Sequence, residues 1–316
     1  MRQSFCGYYA PDDTEIKQML SEGIWVFDTN VLLDLFRLSE NNANRVLEVF
    51  EKEKEHLWLP YQIAKEYHEN LVTVIKKQHE ECRNMIKALS DFSDKFQIRR
   101  NQSFLDETMK CEAERFSVQM KNALEQKQLS LKDLIHNNPV KSRISDIFEK
   151  RVGGKPTPEN ELEYKAIAKG RYSQKVPPGY EDASKSDDKK YGDYFLWRQI
   201  MDYAGKNQKD IIFITGDTKE DWFAKEFGET IGPRPELIEE FNRETGKKYY
   251  SYSLPGFLRL YQSIEETRFD YENVIHELQE TQPKEEEAEN SGYSTDVSIG
   301  QIERTENTSS KELNSI

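Results

Sequence analysis

Two apolar runs in this chain stop at a carboxylate. "IWVFD" (24–28) ends in Asp28, and "DIIFITGD" (210–217) ends in Asp217, with Asp221 four residues further on. Burying an ionised carboxylate costs several kcal/mol unless it is paired or bound to a cation. No basic residue follows Asp28 until Arg37. Each acid also has a plain structural reading: Asp28 or Asn30 could cap a helix starting at Val31, and Asp217 could belong to a Gly-Asp turn. Two parallel strands that both end in Asp, however, place both groups at the same sheet edge. Glu66 lies in the first turns of the helix after "HLWLP" (56–60), at the polar margin of a face formed by Ile63, Tyr67 and Leu71. Alone it reads as a solvated residue. Asp193 continues the buried stripe of Leu196, Trp197, Ile200 and Ala204 at its N-terminal end, where it serves as a helix-start group, a site residue or both.

Four carboxylates on four elements at one sheet edge repel one another unless cations balance them. The chain has no His or Cys cluster suited to zinc, whereas the hard ions Mg²⁺ and Mn²⁺ take oxygen ligands. With one or two such ions, the chemistry that fits is phosphodiester hydrolysis: the metal generates hydroxide from water and steadies the attacking and leaving oxygens.

The elements that must position these acids alternate between short apolar strands and amphipathic helices. Residues 24–28, 56–60 and 210–217 read as buried strands. Helical patterns follow the first two, in "VLLDLFRLSENNANRVLEVFEKEKE" and "YQIAKEYHENLVTVI", and precede the third, in "YGDYFLWRQIMDYAG". This alternation predicts an α/β domain with a mostly parallel sheet, whose ligands sit at the C-terminal strand ends. "KKYYSYSLPGFLRLYQ" reads as a strand, a turn at Pro255-Gly256 and a helix.

After Tyr61 the helical spacing continues through Leu71, Cys82, Met85, Leu89, Phe92 and Phe96, a helix of about 50 Å if continuous. A second stripe, Leu105, Met109, Phe116, Met120 and Leu124, suggests an antiparallel return. Residues 70–135 therefore read as a helical hairpin projecting from the sheet domain, within an insertion of about 70–170. Residues 136–190 read as a polar, Gly- and Pro-containing return; for the hairpin, separate core helices are the competing reading. From 281 to 316 the chain is acidic and poor in apolar residues, so disorder is expected.

The net charge of −13 argues against holding nucleic acid by bulk positive charge. Eight acidic and three basic residues place −5 of that in the tail, leaving an acidic body to which a metal-binding carboxylate cluster contributes. Hydrophobic residues make up 36% of the 316, with no apolar window of membrane-spanning length and no signal-peptide pattern. A cytoplasmic protein with no membrane partner is expected. Cys6, Cys82 and Cys111 lack metal-ligand spacing and read as reduced thiols.

These residues resemble the PIN domain nuclease family. "VFDTNVLLDLF" is similar to its first-strand motif, "LPYQIAKEYHEN" to its Glu-bearing helix, "YGDYFLWRQI" to its third acidic motif and "FITGDTKEDWF" to its fourth. With "GPRPELIEEF" (232–241), the likeness is to the larger bacterial PIN-like proteins with a helical insertion. The resemblance implies a PIN-like three-layer fold over 1–280 and a Mg²⁺- or Mn²⁺-dependent nuclease. Asp28, Glu66, Asp193 and Asp217 take the acidic positions, Asn30 and Thr215 support the first and fourth acids, and Asp188 and Asp221 are candidates for an extra ligand, with an exposed turn the plainer reading of each. It also implies a nucleic acid substrate, RNA before DNA, because family members are chiefly ribonucleases, many of them toxins or defence effectors. A protein partner held by the insertion and a homo-oligomer are compatible with the sequence. Two rivals stand beside this reading. One is a catalytically silent scaffold. The other is a phosphatase that resembles the haloacid dehalogenase type through "GDTKED", although Asn30 stands where that family needs a second Asp.

Overall fold

Both apolar runs that end in a carboxylate are strands, and they lie side by side. The computed structural model describes residues 1–2, 4–97, 106–187, 189–227, 229–265 and 270–281. In chain order, α1 (Asp13–Glu22) leads into β1 (Ile24–Phe27), α2 (Thr29–Asp34), α3 (Glu40–Lys52), α4 (Tyr61–Gln97) and α5 (Glu107–Asp133). Then come α6 (Pro139–Phe148), α7 (Pro158–Ser173), α8 (Gly192–Asn207), β2 (Ile211–Ile214), β3 (Phe223–Glu226) and β4 (Glu229–Pro233). The last elements are α9 (Pro235–Thr245), β5 (Tyr249–Tyr252), α10 (Leu254–Glu265) and α11 (Glu272–Thr281).

β1, β2 and β5 form a parallel sheet in that order, with Ile24 opposite Ile211 and Ile211 opposite Tyr249. All residues of β1 and β2 are buried, as strands covered on both faces require. Alternation sends Trp25 and Phe27 to one face. There the Phe27 ring lies 4.2 Å from Phe50 of α3, and that of Trp25 5.0 Å from Phe257 of α10. Phe213 and Tyr249 take the other face, 5.2 Å from Trp222 and 4.9 Å from Trp197 of α8, with Phe241 of α9 5.4 Å from Tyr249. The result is a three-layer α/β/α fold with its C-terminal strand ends at Asp28 and Thr215.

Several expectations need correction. Residues 56–60 are not a strand but two isolated bridges, Trp25 to Leu57 and Leu59 to Val152. Pro60 has no N–H to extend the ladder, and α4 starts at the next residue. The helical pattern after Asp28 is two helices, with Ser39 at the N-cap of α3 held by Glu277 of α11, whose Oε2 accepts from the Ser39 hydroxyl at 2.8 Å. Pro255 and Gly256 lie inside the first turn of α10 rather than in a turn before it; proline suits that place because a first-turn N–H has no helical acceptor. The return segment 136–190 contains α6 and α7. α6 buries Ile144, Ile147 and Phe148, and α7 buries Tyr164, Ala168 and Tyr172 at helical spacing between charged residues. Arg171 of α7 pairs with Glu240 of α9, which also accepts from the Trp197 indole at 3.0 Å, so this segment is tied into the core.

α4 is one helix of 37 residues, about 55 Å long. α5 packs along it, with Gln128 donating to the His79 carbonyl at 3.2 Å. Near the sheet domain the pair is buried, at Leu71, Val74, Ile75 and Leu131. Further out Met85, Met109 and Phe116 are 55–57% exposed. The expected stripes are present but do not close over each other along their whole length. Leu105, the Phe96 side chain and the acidic tail from 282 lie outside the described residues. β3 and β4 form an antiparallel hairpin with a register shift between Ala224 and Lys225, which the sequence pattern did not announce. Cys6, Cys82 and Cys111 are all free thiols, and among the described residues no helix is long and apolar enough to cross a membrane.

Candidate active site

β1 ends one residue before Asp28, and the backbone N–H of Asp28 still donates to the Ile214 carbonyl of β2 at 2.8 Å. Asp28 is the N-cap of α2, which begins at Thr29 rather than Val31, and its Oδ1 accepts from the Thr29 N–H at 2.7 Å. Capping therefore uses one carboxylate oxygen. Oδ2 accepts from the Thr215 hydroxyl at 2.6 Å and from the Asn30 amide at 2.9 Å. Asn30 reaches back across the strand ends, its Oδ1 accepting from the Gly216 N–H at 2.8 Å. Thr215, 1% exposed, also accepts from the Asp217 N–H at 2.9 Å. Asn30 and Thr215 thus clamp the first and fourth acidic motifs together.

Glu66, in the second turn of α4, accepts from the Thr29 hydroxyl at 3.2 Å and from the Gln62 amide at 2.5 Å. The start of α8 packs onto it so closely that a Cβ on Gly192 would stand 2.8 Å from Glu66 Oε1. A glycine is what allows that approach. Asp193 follows in the first turn of α8, with its Oδ2 buried and without a hydrogen-bond partner. Four elements therefore bring Asp28, Glu66, Asp193 and Asp217 to one edge.

Their electrostatics reflect the crowding. Burial pushes the Asp28 carboxyl up to about 7, opposed by the Thr215 hydroxyl and reinforced by the charges of Glu66 and Asp217. Burial likewise pushes Asp193 up to about 7, against the pull of Lys219 and with Asp182, Asp217 and Asp28 adding to the rise. Lys219 is the cation that sequence reasoning missed. Its Nζ lies 3.1 Å from Asp182 Oδ1, 3.1 Å from Asp217 Oδ2 and 3.6 Å from Asp193 Oδ2. Burial works against its charge, but those three carboxylates outweigh burial and raise its pKa well above the ordinary lysine value.

Asp182 was missed as well. It is buried in a single 3₁₀ turn, Tyr180–Ser184, and its second oxygen pairs with Lys185 at 2.6 Å. In the sequence it is one acid among several in a polar stretch, and only the turn brings it to the edge. Asp221, a candidate for an extra ligand or an exposed turn, is in no exposed turn: one of its oxygens anchors the Tyr180–Ser184 turn and the other, Oδ1, is buried without a hydrogen-bond partner. It is fully buried, and its Oδ2 accepts from the N–H groups of Gly179 at 2.8 Å and Glu181 at 3.3 Å. Gly179 sits at φ +95°, where a side chain would be strained and its Cβ would meet the Tyr172 hydroxyl at 2.2 Å. Asp188 lies outside the described residues.

A family profile described as a PIN-like domain matches residues 24–237, the span from β1 to the start of α9. The chain is a member of the PIN-like domain family. No curated protein and no solved structure matches it. The PIN-like match takes in all four acids together with Asp182 and Lys219, and PIN domains are generally nucleases that typically use divalent metals. Among the described residues, no three Asp, Glu, His or Cys side chains are gathered closely enough to enclose a metal ion as they stand. The donor set nonetheless suits a hard cation: it offers only oxygens, one of them Asp193 Oδ2, buried and without a hydrogen bond though 3.6 Å from Lys219 Nζ, and Asp28 and Glu66 lie side by side with no basic side chain bonded to either among the described residues.

Proposed function

We propose that this chain is a divalent-metal-dependent nuclease that hydrolyses phosphodiester bonds, most simply an endoribonuclease acting on single-stranded or structured RNA. The observation that carries the reading is the clamp of Asn30 and Thr215, which holds Asp28 against the Asp217 loop while Thr29 ties Glu66 to the same edge. A capping aspartate alone would not need those bonds. Asp28, Glu66, Asp193 and Asp217 form the acidic edge that would hold Mg²⁺ or Mn²⁺, which supplies Lewis acidity and a hydroxide nucleophile when bound. The chain's own residues do the rest. Thr29, Asn30 and Thr215 orient the carboxylates by donating to them, and Gln62 fixes Glu66.

Substrate access is supported on the α4 and α8 side. Gln62 and Gly192, both against Glu66, also line a cleft of about 220 Å³ where Lys65, Lys155 and Lys165 outnumber Glu161 and Asp187 and stand with Tyr61 and Tyr191. Lysines beside aromatic rings suit phosphates and unstacked bases, so the cleft favours a single strand. The exposed Met85, Met109 and Phe116 of the hairpin favour a protein contact there over a nucleic acid one. The phosphatase reading loses ground, because the Asn30 amide is committed to Asp28 and Gly216 and offers no acid/base group.

The test is cleavage of end-labelled single-stranded RNA and DNA in Mn²⁺ by wild type and Asp28→Asn, with EDTA as control. Cutting of RNA that mutation and chelation both abolish is the expected result. Equal cutting by the variant, or none by wild type, moves the silent-scaffold reading ahead.

A further inference from the structure

The carboxylates of this edge fall into two halves. Asp182, Asp193 and Asp217 surround the Lys219 ammonium at 3.1–3.6 Å, while Asp28 and Glu66 receive only neutral donors among the described residues. An ammonium has three N–H donors and no acceptor; here it lies at 3.1 Å from Asp182 and Asp217 and at ion-pair distance, 3.6 Å, from Asp193. Resting on the nuclease reading above, we infer that Lys219 supplies one of the cations that balance this acidic edge. The acids therefore take a single divalent ion on the Asp28–Glu66 side, and the ammonium stands in for a second ion on the Asp182–Asp217 side.

The lysine is built into that place. Its backbone N–H donates to Asp217 Oδ1 at 2.8 Å, and its carbonyl accepts from the N–H groups of Trp222 at 3.1 Å and Phe223 at 3.0 Å. Asp182 is delivered to it by the 3₁₀ turn that buried Asp221 anchors. A surface lysine resting on an acidic patch would have none of these restraints. Charge is what the arrangement supplies: a flexible ammonium on a fixed backbone neutralises carboxylates that water reaches poorly. The ion bound on the other side then meets fewer uncompensated negative charges and fewer free ligands. Asp182 and Lys219 are thus positioning residues for the metal, acting through Asp193 and Asp217.

Counting bound Mn²⁺ by calorimetry and by electron paramagnetic resonance tests this with wild type, Lys219→Met and Lys219→Arg. Wild type and Lys219→Arg should bind about one Mn²⁺ per chain, and Lys219→Met about two, because removal of the ammonium frees three carboxylates for a second ion. Thermal unfolding in EDTA confirms that each variant is folded before it is counted. Two ions on wild type, or one on a folded Lys219→Met, would overturn the Lys219 assignment while leaving the nuclease reading intact. No Mn²⁺ on wild type sinks the metal reading itself, and the assignment with it. Should Lys219→Met fail to fold, the stoichiometries of wild type and Lys219→Arg still decide, since two ions on either contradict a built-in cation.

Discussion

At the C-terminal strand ends the oxygens of Asp28 and Glu66 are each tied to a named donor, whereas along the outer α4–α5 hairpin large apolar side chains stand in solvent. The two regions follow different physics. Charges in a poorly hydrated pocket interact strongly and directionally, so a misplaced donor leaves a carboxylate unsatisfied. Apolar contact is non-directional and roughly proportional to area, so a methionine-bearing face tolerates substitution and re-packing. The strand edge should therefore respond sharply to single-atom changes, and the hairpin tip should respond weakly.

The largest effect expected is on catalysis. Asp28→Asn and Glu66→Gln should each lower the cleavage rate by on the order of 10³-fold. Circular dichroism should show the fold retained. A loss of less than tenfold would place these acids outside the chemistry and blur the contrast with the hairpin.

Next comes Thr215→Val, close in shape but without the hydroxyl that donates to Asp28 and accepts from Asp217. Urea denaturation should show a loss of about 1–3 kcal/mol, since Asp28 Oδ2 loses one of its two donors and the Asp217 N–H loses its acceptor. A neutral result would mean that the clamp is not under strain from the acids it joins.

The pH dependence sharpens the comparison further. Burial raises the carboxyls of Asp28 and Asp193 from their ordinary value of 3.8 to about 7 in the folded protein. Between those values the folded state holds protons that the unfolded state has lost, so these two groups make the metal-free protein less stable as pH rises from about 4 to about 7. Metal binding needs the deprotonated acids. The Tm difference between Mn²⁺ and EDTA should therefore widen from pH 5.5 to pH 8 and vanish in Asp28→Asn. A difference that is flat with pH would contradict the burial argument.

The smallest effect belongs to the hairpin. Met85→Gln and Phe116→Gln, at positions 55% and 57% exposed, should each change stability by no more than about 0.5 kcal/mol in urea denaturation. A loss above about 2 kcal/mol would show that these side chains are buried core.

Much of the site was readable because its signals are local. A continuous apolar run has few alternatives to a buried strand, and an acid at its end is conspicuous, so β1 with Asp28 and β2 with Asp217 stand out. The stripe of Leu196, Trp197, Ile200 and Ala204 likewise located Asp193 at a helix start. α7 was harder: only Tyr164, Ala168 and Tyr172 face inward among charged neighbours, and such a thin stripe resembles a polar linker. Asp221 reads from the sequence as an exposed turn or an extra ligand. The fold buries it: Oδ2 accepts from backbone N–H groups and Oδ1 has no hydrogen-bond partner, a burial that no local pattern around it signals.

By itself the sequence determined β1, β2 and β5, the long helix and the acids that follow β1 and β2, because side-chain period and apolar runs act over a few neighbouring residues. Only the tertiary structure decided which charges meet. Lys219 and Asp182 are 37 positions apart and unremarkable in their own segments, yet a turn anchored by Asp221 sets them 3.1 Å apart. Electrostatic pairing depends on distance through space and on exclusion of water, and neither is encoded in the local pattern of a chain.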